Sequence, residues 1–376
     1  MPIYKQDGKK NGLQKYRVIV SFTDRNGEYR QISRTTYGRE EAKQLETELR
    51  ARSLEAASGH LTVDELIAEY LAAQKGNIRA TTYDKYKRNL ELYVSPTLGD
   101  LKISKLSSQL LQKWKTSLND RGLSTVTKTN AYRNLSAVLN FGVRMEYFQK
   151  NPLAVIGGFR DPDFTVEAER LRFYTADQFL SFISAARADA EAANDWRFYV
   201  FFNIAFYTGM RKGEIHALKW SDLEGNILHV RRSITQKLKG GDVETPPKNK
   251  SSYRDLQMPA PLLEVLAAHR QRCQHAPSFS EDWRICGGEA PLRDKTLSNK
   301  NNKYASAAGL PHISIHEFRH THASLLINEG ISIQEIARRL GHSDVQVTWK
   351  TYAHLYPREE ERAVHILDRI SLQNAQ

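Results

Sequence analysis

The sequence predicts an α+β protein of several domains: a small β-sheet with one helix at the N-terminus, an all-α domain, and a mainly α domain that contains a small antiparallel sheet. Three observations predict this order. Hydrophobic residues alternate near the N-terminus, helical spacing then prevails up to about residue 150, and short alternating segments return only in the last block. A chain of 376 residues is also long for a single core. We expect domains at 1–57, 60–150 and 171–376, with a linker containing Pro and Gly at 151–170.

The first block predicts a β-hairpin followed by a helix. The stretch "KYRVIVSF" alternates, Asn26-Gly27 is a typical hairpin turn, and "YRQISRTT" returns, giving a sheet of two or three strands. Good helix formers fill "GREEAKQLETELRARSLEAA". A β-ribbon can enter a DNA groove, although a small structural cap is the alternative. The candidate nucleic-acid-binding residues here are Arg17, Arg30 and Arg34.

The second block predicts a bundle of helices, of which the first begins after Thr62, a good N-cap residue. Basic side chains alternate with aromatic ones along these helices, and a helix start can bind phosphate through its free N–H groups. The alternative is an ordinary amphipathic surface with solvated Lys and Arg. The candidate nucleic-acid-binding residues are Arg79, Lys85, Lys87, Lys128 and Arg133.

The net charge of +12 lies mainly in the first 160 residues. Residues 1–59 carry +4, residues 60–160 carry +7, and the remainder carries +1. This distribution predicts a polyanionic partner held by the N-terminal half, and charge alone does not separate nucleic acid from an anionic membrane. No apolar run approaches the ~20 residues of a membrane span, no signal peptide is recognisable, and two cysteines make no disulfide framework, so we expect a cytosolic protein.

The third block predicts mostly helix with a few short strands. Its stretch "DWRFYVFFNIAFYTGMRKGEIHALKW" is apolar nearly all round at its start, which indicates a buried helix that meets a Gly-flanked turn. The stretches "GNILHV", "RRSITQKL" and "SYRDLQMP" alternate as strands, and helices return after them.

The segment "HEFRH" matches the zinc-site pattern H-E-x-x-H of metalloproteases, with His316 and His320 on one helical face and Glu317 beside them. Arg319 would place a permanent cation within reach of the metal, and no third ligand follows with a supporting pattern. A zinc metalloprotease is therefore the weaker alternative. We expect no metal and no cofactor.

The same segment also reads as His316-x-x-Arg319, and other blocks offer partners for it. Two guanidiniums match the non-bridging oxygens of a phosphorane, and a phenol becomes a nucleophile when neighbouring groups accept its proton. A Lys in a loop can protonate the leaving oxygen. The candidate catalytic residues are Arg211, Lys248, His316, Arg319, His342 and Tyr352.

The motifs "TGMRKGEI…LKW.DL", "HEFRHTHAS", "LGHS" and "TYAH" together resemble those of the tyrosine recombinase (phage-type integrase) family. Their order and spacing match, since His342 follows Arg319 by 23 residues and Tyr352 follows His342 by 10. The resemblance is clearest over 170–357. It extends more loosely to 60–150 as a helical core-binding domain and to 1–57 as an arm-type DNA-binding domain.

The resemblance implies a role for each matching residue. Tyr352 would attack the scissile phosphate and form a 3′-phosphotyrosyl link, while Arg211 and Arg319 clamp the phosphate. Lys248 would be the general acid, with Lys250 as an open alternative. The supporting roles fall to His316 for proton transfer, His342 for a hydrogen bond to the phosphate, Glu214 for orienting the cluster, and His320 and His322 for packing.

The resemblance also implies partners. These are double-stranded DNA attachment sites of core and arm type, a homo-tetramer on DNA, accessory directionality and DNA-bending proteins, no membrane, and a place beside the nucleoid in the cytoplasm of a bacterial host. A C-terminal tail helix at 358–376 would pack in cis or on a neighbouring protomer. A type IB topoisomerase shares this active-site logic, and a DNA-binding regulator with a vestigial catalytic block is a further alternative.

Overall fold

A computed structural model describes residues 3–23, 28–58, 61–160, 171–236, 238, 241–247 and 250–355. The chain divides into two compact units, Met1–Phe164 and Thr165–Gln376. The first holds a small sheet with one helix and a group of helices, and the second is mainly helical with small antiparallel sheets. The predicted fold class is therefore confirmed.

The N-terminal sheet has three antiparallel strands in the order β1-β2-β3 and is packed against one helix. The alternation predicted for β2 is observed, because Val18 and Val20 are buried beside Ala42 and Leu49 of that helix. The predicted hairpin is thus confirmed, and its Asn26-Gly27 turn lies outside the described residues. The elements are β1 (Ile3–Lys10), β2 (Leu13–Thr23), β3 (Tyr29–Tyr37) and α1 (Arg39–Ser58).

Five helices follow in the first unit: α2 (Val63–Gln74), α3 (Ala80–Tyr93), α4 (Ser95–Leu98), α5 (Ser108–Asp120) and α6 (Thr125–Arg144). The predicted N-cap of α2 is confirmed. The Thr62 hydroxyl accepts a hydrogen bond from the backbone N–H of Glu65 at 3.2 Å, and the Thr62 N–H donates to the Glu65 carboxylate at 2.8 Å. This capping box satisfies two otherwise unpaired donors at the helix start.

Residues 151–160, the first half of the predicted linker, pack against these helices. Leu153 is fully buried within a 3₁₀ turn, Pro152–Val155. The Lys115 ammonium donates to the carbonyl oxygens of Ile156, Gly157 and Gly158 at 3.3, 3.2 and 2.9 Å. Since one cation satisfies three carbonyl groups, this stretch follows a fixed path. Residues 161–170 lie outside the described part of the chain.

The second unit contains a three-stranded sheet of order β4-β5-β8, a separate hairpin β6-β7, and eight helices among its described residues. The strands are β4 (Leu223–Glu224), β5 (Ile227–Val230), β6 (Ser233–Thr235), β7 (Val243–Thr245) and β8 (Arg254–Gln257). The helices are α7 (Ala176–Ala193), α8 (Arg197–Thr208), α9 (Lys212–Ala217), α10 (Ala260–Gln274), α11 (Asp294–Ala307), α12 (Glu317–Asn328), α13 (Ile333–Leu340) and α14 (Val345–Tyr352).

Aromatic rings fill the core of the second unit. Phe182 lies at 5.0 Å from Phe202 and 5.2 Å from Phe318 between ring centroids, and Tyr304 lies 5.8 Å from both Phe182 and Phe202. Phe318 comes directly before Arg319 on α12, so burial of the ring fixes the helix that carries this arginine. Within the described residues, no helix combines the length and apolarity needed to cross a membrane.

Candidate active site

A buried carboxylate between two arginines forms one side of the candidate site. Gly209 ends α8 with a left-handed φ of +61°, and the chain turns so that Arg211 stands just before α9. The guanidinium of Arg211 donates to one Glu214 oxygen at 3.0 Å, and the Nη2 of Arg254 donates to the other at 2.9 Å. Burial raises the pKa of Glu214, but the two cations outweigh burial and hold its pKa below the usual range.

Arg319 is 3 % exposed and joins the ends of two other helices. Its Nη1 donates to the carbonyl of Gly209 at 2.9 Å and its Nη2 to that of Leu340 at 2.7 Å. Burial and the nearby Arg211 lower the pKa of Arg319 to about 9, which still leaves it charged at neutral pH. Because these direct bonds go to neutral carbonyls, much of its positive charge is available to an anion.

His316 and His342 lie in the field of both arginines. Desolvation followed by the charges of Arg319 and Arg211 lowers the pKa of His316, although its ring keeps an exposed edge. The same causes in the same order lower the pKa of His342 to about 4. The Nδ1 of His342 also lies 2.7 Å from the hydroxyl of Thr348 on α14. The structure therefore brings four predicted residues, two arginines and two histidines, into one electrostatic cluster.

Tyr352 ends α14 and is 1 % exposed. Its hydroxyl lies 2.7 Å from the Nδ1 of His320, and the two ring centroids are 5.5 Å apart. Burial raises the pKa of Tyr352 to about 12, while Arg319 acts in the opposite direction. The family resemblance implied a packing role for His320. In the structure this side chain also contacts the phenol directly.

His322 lies behind the cluster and is held by two polar contacts. Its Nδ1 faces the carbonyl of Phe206 at 2.7 Å, and its Nε2 accepts a hydrogen bond from the Nε of Arg339 at 3.1 Å. Burial and then Arg339 lower the pKa of His322 to about 3, so the ring stays neutral. This buried position agrees with the packing role expected from the sequence.

Lys248 lies outside the described residues. Lys250 begins a short 3₁₀ turn, Lys250–Ser252, but its side chain also lies outside the described part. The β6-β7 hairpin leads towards this segment and packs against α9, which follows Arg211. The choice between the two lysines therefore stays a prediction.

The arginines predicted to bind nucleic acid in the N-terminal sheet lie on two faces of it. Arg17 lies on the face opposite the buried Val18 and donates to the hydroxyl of Ser33 at 3.2 Å. Arg34 pairs directly with Val18 in the register, so it lies on the face covered by α1, 3.8 Å from the carboxylate of Glu48. Arg30 shares that face and lies 3.5 Å from Glu28. A single flat contact does not engage all three side chains.

Most basic candidates on the helices are exposed. Arg79 stands just before α3, Lys85 and Lys87 lie on α3, and Arg133 lies on α6. Lys128 is half-buried, because its ammonium donates to the Asn119 side chain at 3.0 Å and lies 5.6 Å from the ring centroid of Phe159. To meet phosphate, Lys128 has to leave these contacts, and the ammonium of Lys87 lies 3.9 Å from the carboxylate of Glu91.

Sequence reasoning missed Arg254 and did not predict the contact of His320 with the phenol. Arg254 alternates inward with the buried Leu256 along β8, and a charged residue on the inward face of a strand indicates a buried partner. His320 follows His316 by one helical turn, which places both on one face. Both the alternation along β8 and the one-turn spacing of the two histidines are visible in the sequence.

The cluster is suited to an anion with tetrahedral oxygens. Arg211 and Arg319 supply charge and forked donors, His342 and His316 supply neutral imidazoles, and Tyr352 supplies a hydroxyl. Among the residues described here, no three His, Cys, Asp or Glu side chains gather where they could hold a metal ion. This set of side chains has the chemistry to hold a phosphodiester and to attack it.

Comparison with known proteins identifies the family. The phage integrase family matches residues 172–359, half of the chain, and the phage integrase N-terminal SAM-like domain matches residues 62–119. The ICEBs1 integrase of Bacillus subtilis (strain 168) is 28 % identical over 369 residues, covering 95 % of this chain and 97 % of that protein. The chain therefore belongs to the phage integrase family and is a tyrosine recombinase of the integrase type.

Two solved structures share its fold. The Tn1549 transposon integrase in complex with transposon right end DNA has a TM-score of 0.66 at 22 % identity, covering 83 % of this chain and all of that one. A lambda integrase tetramer bound to a Holliday junction has a TM-score of 0.58 at 19 % identity, covering 96 % of this chain and 95 % of that one.

Proposed function

We propose that Tyr352 is the nucleophile of a site-specific DNA recombination reaction that integrates or excises a mobile element. Its phenol attacks the scissile phosphorus and forms a 3′-phosphotyrosyl bond, and the bond to the 5′ oxygen breaks. A 5′ hydroxyl from a second duplex then attacks the phosphotyrosine, which reseals the strand in a new connection. The bond energy is kept in the covalent intermediate, so neither ATP nor a metal ion is needed.

Arg211 and Arg319 clamp the phosphate, and His342 donates a hydrogen bond to one of its oxygens. One observation carries this proposal: after burial, the charges of the same two arginines lower the pKa of both His316 and His342, and Arg319 also acts on Tyr352, so these groups lie close to one another. Glu214 orients Arg211 through the bonds described above. Lys248 protonates the leaving 5′ oxygen, and Lys250 is the alternative acid.

The DNA partners follow from charge and from relatives. The excess of +11 in residues 1–160 supports DNA contact by both N-terminal regions. We assign 1–57 to arm-type sites, 60–150 to core-type sites and 171–376 to catalysis. The named lambda integrase structure is a tetramer on a Holliday junction, which supports a homo-tetramer on paired attachment sites for this chain, with accessory directionality and DNA-bending proteins. Such a reaction takes place beside the nucleoid, in the cytoplasm of a bacterial host.

Strand exchange between two differently labelled duplexes carrying a candidate attachment site tests the function. We expect recombinant products from the unaltered protein and none from Tyr352→Phe, because the phenylalanine lacks the attacking oxygen. A supercoiled plasmid without the site serves as the control. Relaxation of that plasmid without any exchange between duplexes would contradict recombination and favour a type IB topoisomerase.

A further inference from the structure

His320 is the direct partner of the phenol. Its Nδ1 lies 2.7 Å from the Tyr352 hydroxyl, and the rings meet edge to face with centroids 5.5 Å apart. His316, one helical turn earlier, lies with its ring centroid 5.3 Å from that of His320. The phenol is therefore hydrogen-bonded to His320, and the ring of His316 contacts the ring of His320.

The protonation states of His320 and Tyr352 determine which of the two donates the hydrogen bond. Burial, then the neighbouring His316 and Arg319, lower the pKa of His320 to about 4, and Glu317 on the same helix acts in the opposite direction. His320 is therefore neutral near pH 7, and Tyr352, whose pKa is raised, keeps its proton. A phenol that keeps its proton donates, so the Nδ1 accepts and the imidazole proton resides on Nε2.

We propose that His320 is the general base for Tyr352: it holds the phenol by this hydrogen bond and takes the phenol proton as the oxygen attacks. This inference rests on the proposed function. In the step, the bond between the Tyr352 oxygen and phosphorus forms, the O–H bond electrons stay on that oxygen, and the proton moves to the Nδ1 of His320. The bond from phosphorus to the 5′ oxygen breaks, and Lys248 protonates the departing oxygen.

Substrate binding makes His320 a better base. At rest its positive form is opposed by burial, by the neighbouring His316 and by the charge of Arg319. A bound phosphodiester brings a negative charge to Arg319, which offsets its repulsion of an imidazolium. The pKa of His320 therefore rises when the substrate is bound. It moves closer to the pH of the reaction, where a general base is most effective.

The variant His320→Asn tests proton transfer separately from the hydrogen bond that holds the phenol. Its side-chain oxygen can stand near the position of the imidazole Nδ1 and accept the phenol hydrogen bond, but an amide does not take up a proton at these pH values. We expect His320→Asn and His320→Ala each to slow covalent complex formation in a single turnover by roughly 10²–10⁴-fold. DNA affinity and thermal unfolding of both variants are measured alongside, because a folding defect would alter these as well.

The pH dependence of the rate provides a second test, because it would not change if His320 had a purely structural role. In the unaltered protein the rate should fall on the acid side as His320 becomes protonated and loses its acceptor. In His320→Asn this acid limb should become shallower, because His316 and His342 still titrate but no titrating base remains at the phenol. A limb of the same shape in both proteins would overturn the proposal.

A substrate with sulfur in place of the bridging 5′ oxygen distinguishes the base from the acid. A thiolate leaves without protonation at neutral pH, because thiols have a much lower pKa than alcohols. This substrate should restore Lys248→Ala and should leave His320→Asn slow, since the phenol proton must still be removed. Restoration of His320→Asn to the rate of the unaltered protein would place His320 on the leaving-group side and overturn the proposal.

The failure of this inference differs from failure of the proposed function. If the unaltered protein forms a covalent complex that Tyr352→Phe abolishes, while His320→Asn forms it at the normal rate, only the role of His320 is lost. If the unaltered protein forms no covalent complex, the nucleophilic role of Tyr352 fails, and the base fails with it.

Discussion

The buried carboxylate of Glu214 forms ion pairs with two guanidiniums. The Nη2 of Arg254 lies 2.9 Å from it and the Nη1 of Arg211 lies 3.0 Å from it, yet Arg211 keeps 38 % of its side chain exposed. Arg254 also donates to the carbonyl of Arg339 at 2.8 Å. The buried Arg254 is thus held by structural contacts, whereas Arg211 keeps the exposed surface that its proposed contact with phosphate requires.

The residue types of the site could be predicted from the sequence, but their pairing could not. The order and spacing of the short motifs indicated Arg211, Arg319 and His342 through their resemblance to the tyrosine recombinase family. Spacing within α12 placed His316 and His320 on one face without saying which meets Tyr352. That contact depends on how α14 packs against α12, which is a tertiary feature.

His322 should make the second unit less stable in acid. Its pKa is about 3 in the folded state and about 6.5 in an unfolded chain, so the unfolded chain binds more protons below pH 6.5. Its contribution is complete above pH 6.5 and is lost as the pH falls towards 3. At pH 5 we expect a loss of about 2 kcal/mol from this residue relative to pH 7.5.

Urea unfolding followed by tryptophan fluorescence measures this loss, because four of the five tryptophans lie in the second unit. The matched variant is His322→Asn, whose amide can still donate to the carbonyl of Phe206 but does not titrate. It should be less stable than the unaltered protein at pH 7.5 and lose less on acidification. Parallel losses in the two proteins would show that His322 is not the titrating group.

At the scale of secondary-structure elements, the junction between α8 and α9 is constrained in both its backbone conformation and its packing. Gly209 ends α8 with a positive φ, and a Cβ there would lie 2.7 Å from the ring of His322. The sequence indicated this Gly-flanked turn before Arg211. It did not indicate the two- and three-residue strands β4 and β7, because a segment that short has no measurable alternation.

Gly213 should be required for the packing of α9 against β6. A Cβ at this position would lie 2.6 Å from the Ser233 hydroxyl oxygen and 2.7 Å from the carbonyl oxygen of Ile234, which belongs to the strand backbone. Gly213→Ala should therefore displace β6 and destabilise the protein by about 1–3 kcal/mol. Because β6 begins the hairpin that leads towards Lys248, covalent complex formation should also slow.

Gly158→Ala is the matched control for that substitution. No atom lies within 4 Å of a Cβ built at Gly158, and its φ is outside the left-handed region. Its stability should stay within about 0.5 kcal/mol of the unaltered protein by thermal unfolding. Equal effects of the two alanines would mean that the close approach of α9 and β6 does not decide the result.

Across the whole molecule, charge and chemistry are separated along the chain. The first 160 residues carry nearly all of the excess positive charge, and the residues that surround Tyr352 lie within 161–376, whose net charge is +1. The proposed function therefore assigns much of the DNA affinity and the bond breaking to different parts of one chain. The order of a small sheet, then helices, then helices with short strands was predictable because hydrophobic alternation is confined to the first and last parts of the chain. The path of residues 151–160 was not, because it depends on the contacts of Lys115.

The most direct test of the central claim, that Tyr352 attacks a DNA phosphate, is covalent trapping. The full chain is incubated in EDTA with a nicked suicide duplex carrying a candidate attachment site, and Tyr352→Phe is treated in parallel. We predict a protein–DNA band that resists SDS with the unaltered protein and no such band with the variant. A band of equal intensity in both would place the nucleophile on another residue and contradict the account.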